Sequence, residues 1–85
     1  MVTKKMTIKI PNGLDARPAA ILVQVASQYD SSIYIEVEEK KINAKSIMGM
    51  MSLGLAAGED VIVSANGSDE EAAIKHIEEY LTSKE

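Results

Sequence analysis

Hydrophobic and polar positions along the chain alternate with period two in some stretches and follow a helical period in others. From Lys5 to Ile10 apolar and polar residues alternate, which predicts a half-buried strand, and the Pro-Asn-Gly that follows predicts a turn. The alternating stretch Ile33 to Val37 and the short run Lys41 to Asn43 predict two antiparallel strands. A further alternating stretch, Val61 to Ala65, predicts a fourth strand.

Two helices are predicted between these strands. Ala16 to Ser27 carries apolar residues at helical spacing, and Asp15 is well placed as the N-cap. A shorter helix from Ile47 to about Leu53 follows Ser46, whose hydroxyl is expected to cap it. Both helices have one apolar face, so each needs a sheet to cover.

A third helix is predicted at the end of the chain. Ser68 and Glu71 have the spacing of a capping box, and the helix is expected to run to about Ser83. The apolar stripe expected on it comprises Ala72, Ala73, Ile77, Tyr80 and Leu81. The element order predicts an α+β open-faced sandwich in one domain spanning residues 1–85. Its four-stranded antiparallel sheet carries all three helices on one face.

The composition of the chain argues against several classes of function. The 13 acidic and nine basic side chains give a net charge of −4, which argues against direct binding of nucleic acid. A ferredoxin-like RNA-binding domain has a similar element order, but three tyrosines without Phe or Trp make base stacking improbable. No cysteine and only His76 as histidine argue against a metal site. With no catalytic constellation, we expect a protein that is not an enzyme and needs no cofactor.

The chain also lacks the pattern of a membrane protein. The first ten residues alternate lysine with single apolar residues, unlike the apolar block of a signal peptide. The longest stretch of low charge, residues 47–57, is too short to cross about 30 Å of hydrocarbon. We therefore expect a cytoplasmic protein without a membrane partner.

Two segments carry the most specific signal. Residues 13–20 read Gly-Leu-Asp-Ala-Arg-Pro-Ala-Ala, and residues 43–54 read Asn-Ala-Lys-Ser-Ile-Met-Gly-Met-Met-Ser-Leu-Gly. At this separation, and over nearly the whole chain, they resemble the HPr family of the bacterial sugar phosphotransferase system, Gram-positive type. The resemblance implies the HPr-like fold and a role in phosphotransfer or its regulation.

Asp15 is the main departure from the family pattern, because the resemblance places the phosphoryl-accepting histidine at this position. Crh-type members keep the regulatory serine and lack that histidine, although they usually have glutamine there. Asp15 is expected mainly as a helix cap, worth about 0.3–1 kcal/mol. The alternative is a phosphocarrier variant in which the Asp15 carboxylate accepts a phosphoryl group. Arg17, which manages phosphoryl charge in the family, is then either a partner contact or an ion-pair partner of Asp15.

Ser46 matches the family's kinase substrate, although its capping role alone would explain a serine here. Phosphorylation would add about −1.5 to −2 charge beside free backbone N–H groups. The resemblance implies three partners: HPr kinase/phosphorylase, phosphotransferase-system enzyme I and a LacI-type catabolite control protein. The phosphorylated protein would act as corepressor of the last of these. The expected partner-binding residues are Leu14, Asp15, Ala16, Arg17, Ala20, Lys45, Ser46, Ile47, Met48 and Met51.

Other interpretations remain open for these residues. Each expected contact residue has packing as an alternative role, while Met50 is expected in the core. An interaction module unrelated to sugar transport is a third functional hypothesis. We expect a monomer, with a first strand that could be exchanged to form a swapped dimer.

Overall fold

A computed structural model of the chain describes residues 1–10, 16–52 and 56–83, with only the backbone of Ala16. The described residues form four strands and three helices in the predicted order. They are β1 (Val2–Thr7), α1 (Ala16–Ser27), β2 (Ser32–Val37), β3 (Lys40–Asn43), α2 (Ile47–Met51), β4 (Asp60–Asn66) and α3 (Glu70–Leu81).

The strands form one antiparallel sheet in the order β1-β4-β2-β3. Met6 lies opposite Val61 and Ile35 opposite Val63, so the inward-facing residues of neighbouring strands are in register. Because side chains alternate along a strand, this register collects the apolar residues on one face.

The helices cover that apolar face. α3 packs on β1 and β4, while α1 packs against both α2 and α3. The buried apolar core comprises Met6, Ile8, Ile10, Ala19, Leu22, Val25, Ala26, Ile33, Ile35, Ala44, Met50, Val61, Val63, Ala65, Ala73, Ile74, Ile77 and Leu81. The predicted α+β sandwich with helices on one face is confirmed. In the part of the chain that the structure describes, no helix is long and apolar enough to cross a membrane.

The prediction for β1 was wrong at both ends, although its alternation was correct. The strand begins at Val2 and ends at Thr7, because Thr7 pairs with Asp60, the first residue of β4. Ile8 and Ile10 beyond it are still buried. The chain is held there by backbone bonds outside the paired strands: the Ile8 N–H donates to the carbonyl of Glu59 at 2.8 Å, and the Ile8 carbonyl accepts from the Gly58 N–H at 2.6 Å. The alternation therefore predicted burial correctly and the sheet ladder incorrectly.

The predicted capping box of α3 was also wrong. The N-cap is Asp69, and the Gly67 N–H donates to Oε1 of Glu70 at 3.1 Å. The helix begins at Glu70, one residue later than a cap at Ser68 requires. Its buried face includes Ile74, and Ala72 is exposed. The helix ends at Leu81 rather than near Ser83.

The Asp69 carboxylate joins the start of α3 to the start of β2. It accepts hydrogen bonds from the backbone N–H of Asp30 at 2.8 Å and of Ser31 at 3.0 Å, and also from the Ser31 hydroxyl. These donors lower the pKa of Asp69 because they favour the charged carboxylate, and the Ser31 hydroxyl contributes most to this lowering. A Cβ on Gly67 would lie 2.6 Å from the Ser31 Cα, so only glycine permits this approach.

Candidate functional site

Ser46 is the N-cap of α2 and is exposed to solvent. Its backbone is extended (φ −97°, ψ 112°), and its Oγ accepts a hydrogen bond from the Gly49 N–H at 3.3 Å. The Ser46 carbonyl accepts from the N–H of Met50 at 2.9 Å. The predicted cap is confirmed. The helix is held by this carbonyl as well as by the hydroxyl, so a change at Oγ leaves a backbone bond in place.

The turn that carries Ser46 is anchored to the sheet. The buried Ala44 donates its N–H to the Ile33 carbonyl at 2.9 Å, next to the β2–β3 pair. Oδ1 of Asn43 accepts from the Lys45 N–H at 2.8 Å, and the Asn43 carbonyl accepts from the Ser46 N–H at 3.0 Å. Ser46 is therefore an exposed side chain on a fixed backbone.

Lys45 lies beside Ser46 but reaches towards the end of α1. Its Nζ donates to the carbonyl of Tyr29 at 2.6 Å, in a part-buried position. A cation near the C-terminal end of a helix is electrostatically favourable because carbonyl groups are unpaired there. The Lys45 side chain therefore connects the turn before α2 to the segment after α1 and has a structural role besides any contact with a partner.

Tyr29 in turn contacts the only histidine of the chain. The Tyr29 hydroxyl and Nδ1 of His76 are hydrogen-bonded at 2.7 Å, and the two rings pack edge to face at 5.7 Å. His76 is half-buried on α3. Sequence reasoning missed Tyr29, because neither its spacing nor its neighbours connect it to residue 76.

Gly49 allows α2 to lie close to β3. A Cβ at this position would be 2.9 Å from Cγ2 of Ile42 and 3.3 Å from Oγ of Ser46. The helix ends at Met51, two residues before the predicted end at Leu53, which itself lies outside the described residues. Ser52 is the C-cap, and its hydroxyl donates to the Gly49 carbonyl at 2.7 Å.

Three apolar side chains on α2 are exposed next to Ser46. Met48 is 82% exposed, Ile47 48% and Met51 49%, and we call these three residues the α2 patch. Met50, on the opposite side, is fully buried, as expected. Large apolar residues that cluster on a surface are typical of binding sites, and methionine adapts to different partners.

The segment at the start of α1 is described only in part. Arg17 is exposed, Ala20 is half-buried, and α1 packs against α2. Leu14 and Asp15 lie outside the described residues, as does the side chain of Ala16. The predicted Asp15 cap and the Asp15–Arg17 ion pair therefore remain predictions.

Comparison with known proteins identifies the family to which this arrangement belongs. The family model PTS-HPr, described as the PTS HPr component phosphorylation site, matches residues 2–83. The chain belongs to the HPr family. Members of this family are phosphocarrier and regulatory proteins rather than enzymes. This assignment agrees with the resemblance found in the sequence.

Individual relatives are similar over almost the whole chain. The HPr-like protein Crh of Bacillus subtilis is 43% identical over 81 residues, which cover 95% of each protein. The crystal structure of HPr-C-His from Thermoanaerobacter tengcongensis is 51% identical with a TM-score of 0.93, and the match covers 99% of this chain and 94% of the other. A crystal structure of B. subtilis Crh, described as a swapped dimer, is 42% identical with a TM-score of 0.78, covering 99% and 97%.

Proposed function

We propose that this HPr-family protein is a regulatory phosphoprotein of carbon catabolite repression. HPr kinase/phosphorylase modifies Ser46, and the phosphorylated form then binds a LacI-type catabolite control protein as its corepressor. The observation that carries this proposal is the exposed Ser46 hydroxyl at the start of α2, directly beside the α2 patch. In this position a new charge and an apolar surface can be recognised together.

The local geometry suits phosphorylation. Oγ of Ser46 would lose its proton and form a bond to the γ-phosphorus of ATP, with ADP as the leaving group. The phosphoryl oxygens would then lie near backbone N–H groups of the first helical turn, which are suitable donors for an anion. Because α2 has only five residues, these local N–H groups matter more than any helix dipole.

The corepressor role follows from what the modification adds to the surface. The unmodified α2 patch is apolar, and phosphorylation places about −1.5 to −2 charge at its edge. A partner that offers a basic pocket next to an apolar groove would bind the modified form more tightly, because charge-assisted hydrogen bonds are strong. We expect Lys45, Ser46, Ile47, Met48 and Met51 to form the contact, with Arg17 and Ala20 on the neighbouring helix.

Loss of histidine phosphotransfer is the second part of the proposal. Asp15 occupies the position where the family pattern has a histidine, and a carboxylate lacks the ring nitrogen that accepts the phosphoryl group. Enzyme I therefore has no histidine to modify at this position. We propose that the working form is a cytoplasmic monomer. The crystal structure of the relative Crh, described as a swapped dimer, supports domain exchange as a route to a dimer, and we propose that the first strand is the exchanged element.

The experiment begins with kinase assays on purified protein. Incubation with ATP and the serine kinase, followed by peptide mapping by mass spectrometry, should place phosphate on Ser46. Ser46→Ala should not be modified. Ser52→Ala, at the other end of the same helix, is the matched control and should be phosphorylated like the wild type.

Binding to the repressor is then measured with each form. Phosphorylated wild type should bind and increase operator binding, and unmodified protein and Ser46→Ala should not. Phosphate found elsewhere than on Ser46, or equal repressor binding by Ser46→Ala, would contradict the proposal.

A further inference from the structure

The methionines of the described chain fall into two groups with very different access to solvent. Met48 and Met51, both in the α2 patch, are 82% and 49% exposed, whereas Met50 is 0% and Met6 3% exposed. The exposed thioethers are two and five residues from Ser46, and the buried ones pack in the core. The surface next to Ser46 is therefore rich in oxidisable sulfur, and the core beneath it is protected.

We propose that Met48, followed by Met51, is a site of reversible oxidation to methionine sulfoxide, which weakens binding through the α2 patch. The effect of oxidation on binding rests on the proposed function of that patch. The oxidant belongs to the peroxide class. Susceptibility of methionine follows exposure of its sulfur, so Met48 is oxidised first.

The reaction is a balanced two-electron transfer. A lone pair of the Met48 sulfur attacks one peroxide oxygen, so that an S–O bond forms as the O–O bond breaks. The departing oxygen leaves as hydroxide and takes the proton from the new S–OH group, which gives the sulfoxide and water. Sulfur is oxidised by two electrons and the peroxide is reduced by two.

The product changes the surface and spares the fold. A sulfoxide is polar and chiral, so burying it against an apolar groove without a donor removes favourable burial and leaves an acceptor unpaired. Met48 keeps most of its surface in water in the free protein, so its oxidation costs the native state little. Met50 and Met6 support the core only while they are reduced, and their burial keeps oxidant away.

Selectivity is tested first, without any partner. The folded protein is treated with increasing hydrogen peroxide, and sulfoxide is quantified at each methionine by peptide mapping. Met48 should be oxidised faster than Met51, and both at least about tenfold faster than Met50 and Met6. Met1, 79% exposed, serves as a reference for unhindered oxidation. Equal rates for Met48 and Met50 in folded protein would overturn the proposal, and circular dichroism checks that the fold persists.

The regulatory consequence is tested on protein already phosphorylated at Ser46. Oxidation should weaken binding to the repressor by at least about fivefold. Methionine sulfoxide reductases with a thiol reductant should restore it. In Met48→Leu/Met51→Leu, whose patch has no thioether, peroxide should not change the variant's own affinity for the repressor. Unchanged binding after complete oxidation of Met48 and Met51 would overturn the regulatory half. If unoxidised phosphoprotein does not bind the repressor, the proposed function fails, and the oxidation order still decides the modification site.

Discussion

Ser31 and Ser46 lie at comparable places in the fold and are held in opposite ways. Each precedes a regular element: Ser31 lies before β2 and Ser46 before α2. Ser31 is fully buried, and both its amide and its hydroxyl donate to Asp69. Ser46 is exposed, and its hydroxyl accepts a longer bond of 3.3 Å from the Gly49 N–H.

The difference shows that packing, not residue type, determines what a hydroxyl can do. The Ser31 hydroxyl stabilises a junction between two elements and is closed to another protein. The Ser46 hydroxyl lies at the surface, and the turn beneath it is fixed by backbone bonds of Ala44 and Met50. The proposed kinase would therefore meet an ordered backbone with an accessible oxygen. Substitutions at the two sites test whether these two roles are as separate as the structure indicates.

The largest loss of stability is expected from Gly67→Ala. The new Cβ would lie 2.6 Å from both Cα and Oγ of Ser31, so the junction must move, at a cost of about 1–3 kcal/mol. Urea denaturation measures this free energy of unfolding. Ser68→Ala is the matched control, and it should change stability little because Asp69 is the N-cap. A large loss of stability in Ser68→Ala would show that the Ser68 hydroxyl caps α3 after all.

Gly49→Ala should cause the next largest loss of stability, and it should also affect phosphorylation of Ser46. The added methyl group presses on Cγ2 of Ile42, while alanine favours a helix by about 0.5–1 kcal/mol, so the net loss should be about 1 kcal/mol. Its 3.3 Å approach to Oγ of Ser46 should also slow phosphorylation. Met48→Ala, on the same helix but exposed, should leave stability nearly unchanged. Full stability together with normal phosphorylation of Gly49→Ala would contradict this account.

Ser31→Ala should destabilise the protein in a pH-dependent way. The Ser31 hydroxyl and the Asp30 N–H lower the pKa of Asp69 in the folded state, so the charged carboxylate stabilises the fold at pH values above its usual pKa of about 3.9. That stabilisation is lost as the pH falls through the lowered pKa. The difference in unfolding free energy between wild type and Ser31→Ala should therefore shrink between pH 5 and pH 2.

The comparison between the two variants isolates Asp69 from other carboxyls. The pKa values of Asp60 and Glu70 are also lowered, by the Thr7 hydroxyl and the Gly67 N–H respectively, but those bonds are present in both proteins. A difference that stays constant down to pH 2 would show that the Ser31 hydroxyl does not act through Asp69. Phosphorylation at Ser46 should be normal in Ser31→Ala.

Ser46→Ala should have the smallest effect on stability and the largest on modification. Loss of an N-cap hydroxyl costs about 0.5–2 kcal/mol, and the long bond to Gly49 places this site near the lower end. Thermal unfolding should show a small decrease in Tm, and the kinase should add no phosphate. A loss of stability as large as that of Gly67→Ala would mean that Ser46 supports the fold as strongly as the Ser31 junction does.

Local patterns predicted the parts of the molecule that depend on nearby residues. The bounds of α1, the cap at Ser46 and the burial of Met50 all follow from spacing within one or two helical turns. The family resemblance, carried by residues 13–20 and 43–54, is likewise local in sequence, and the family assignment confirms it.

Features that depend on distant residues were missed. β1 ends at Thr7 because β4 begins at Asp60, 53 residues later, and no pattern within β1 shows this. The N-cap position of α3 falls at Asp69, whose carboxylate bonds to Ser31, 38 residues earlier in the chain, and makes no capping bond to the helix. The Tyr29–His76 contact spans 47 residues. In each case the deciding partner is brought near only by the complete fold.

Because His76 is hydrogen-bonded to Tyr29, its ring can serve as an intrinsic NMR probe. With a single imidazole in the sequence, proton NMR yields one set of ring resonances that needs no assignment by mutagenesis. Those resonances should respond to changes at Tyr29, whose carbonyl accepts a hydrogen bond from Nζ of Lys45, the residue before Ser46. A titration with ligand or kinase can thus be followed on α3, at a distance from the groups that it alters, without attaching a label.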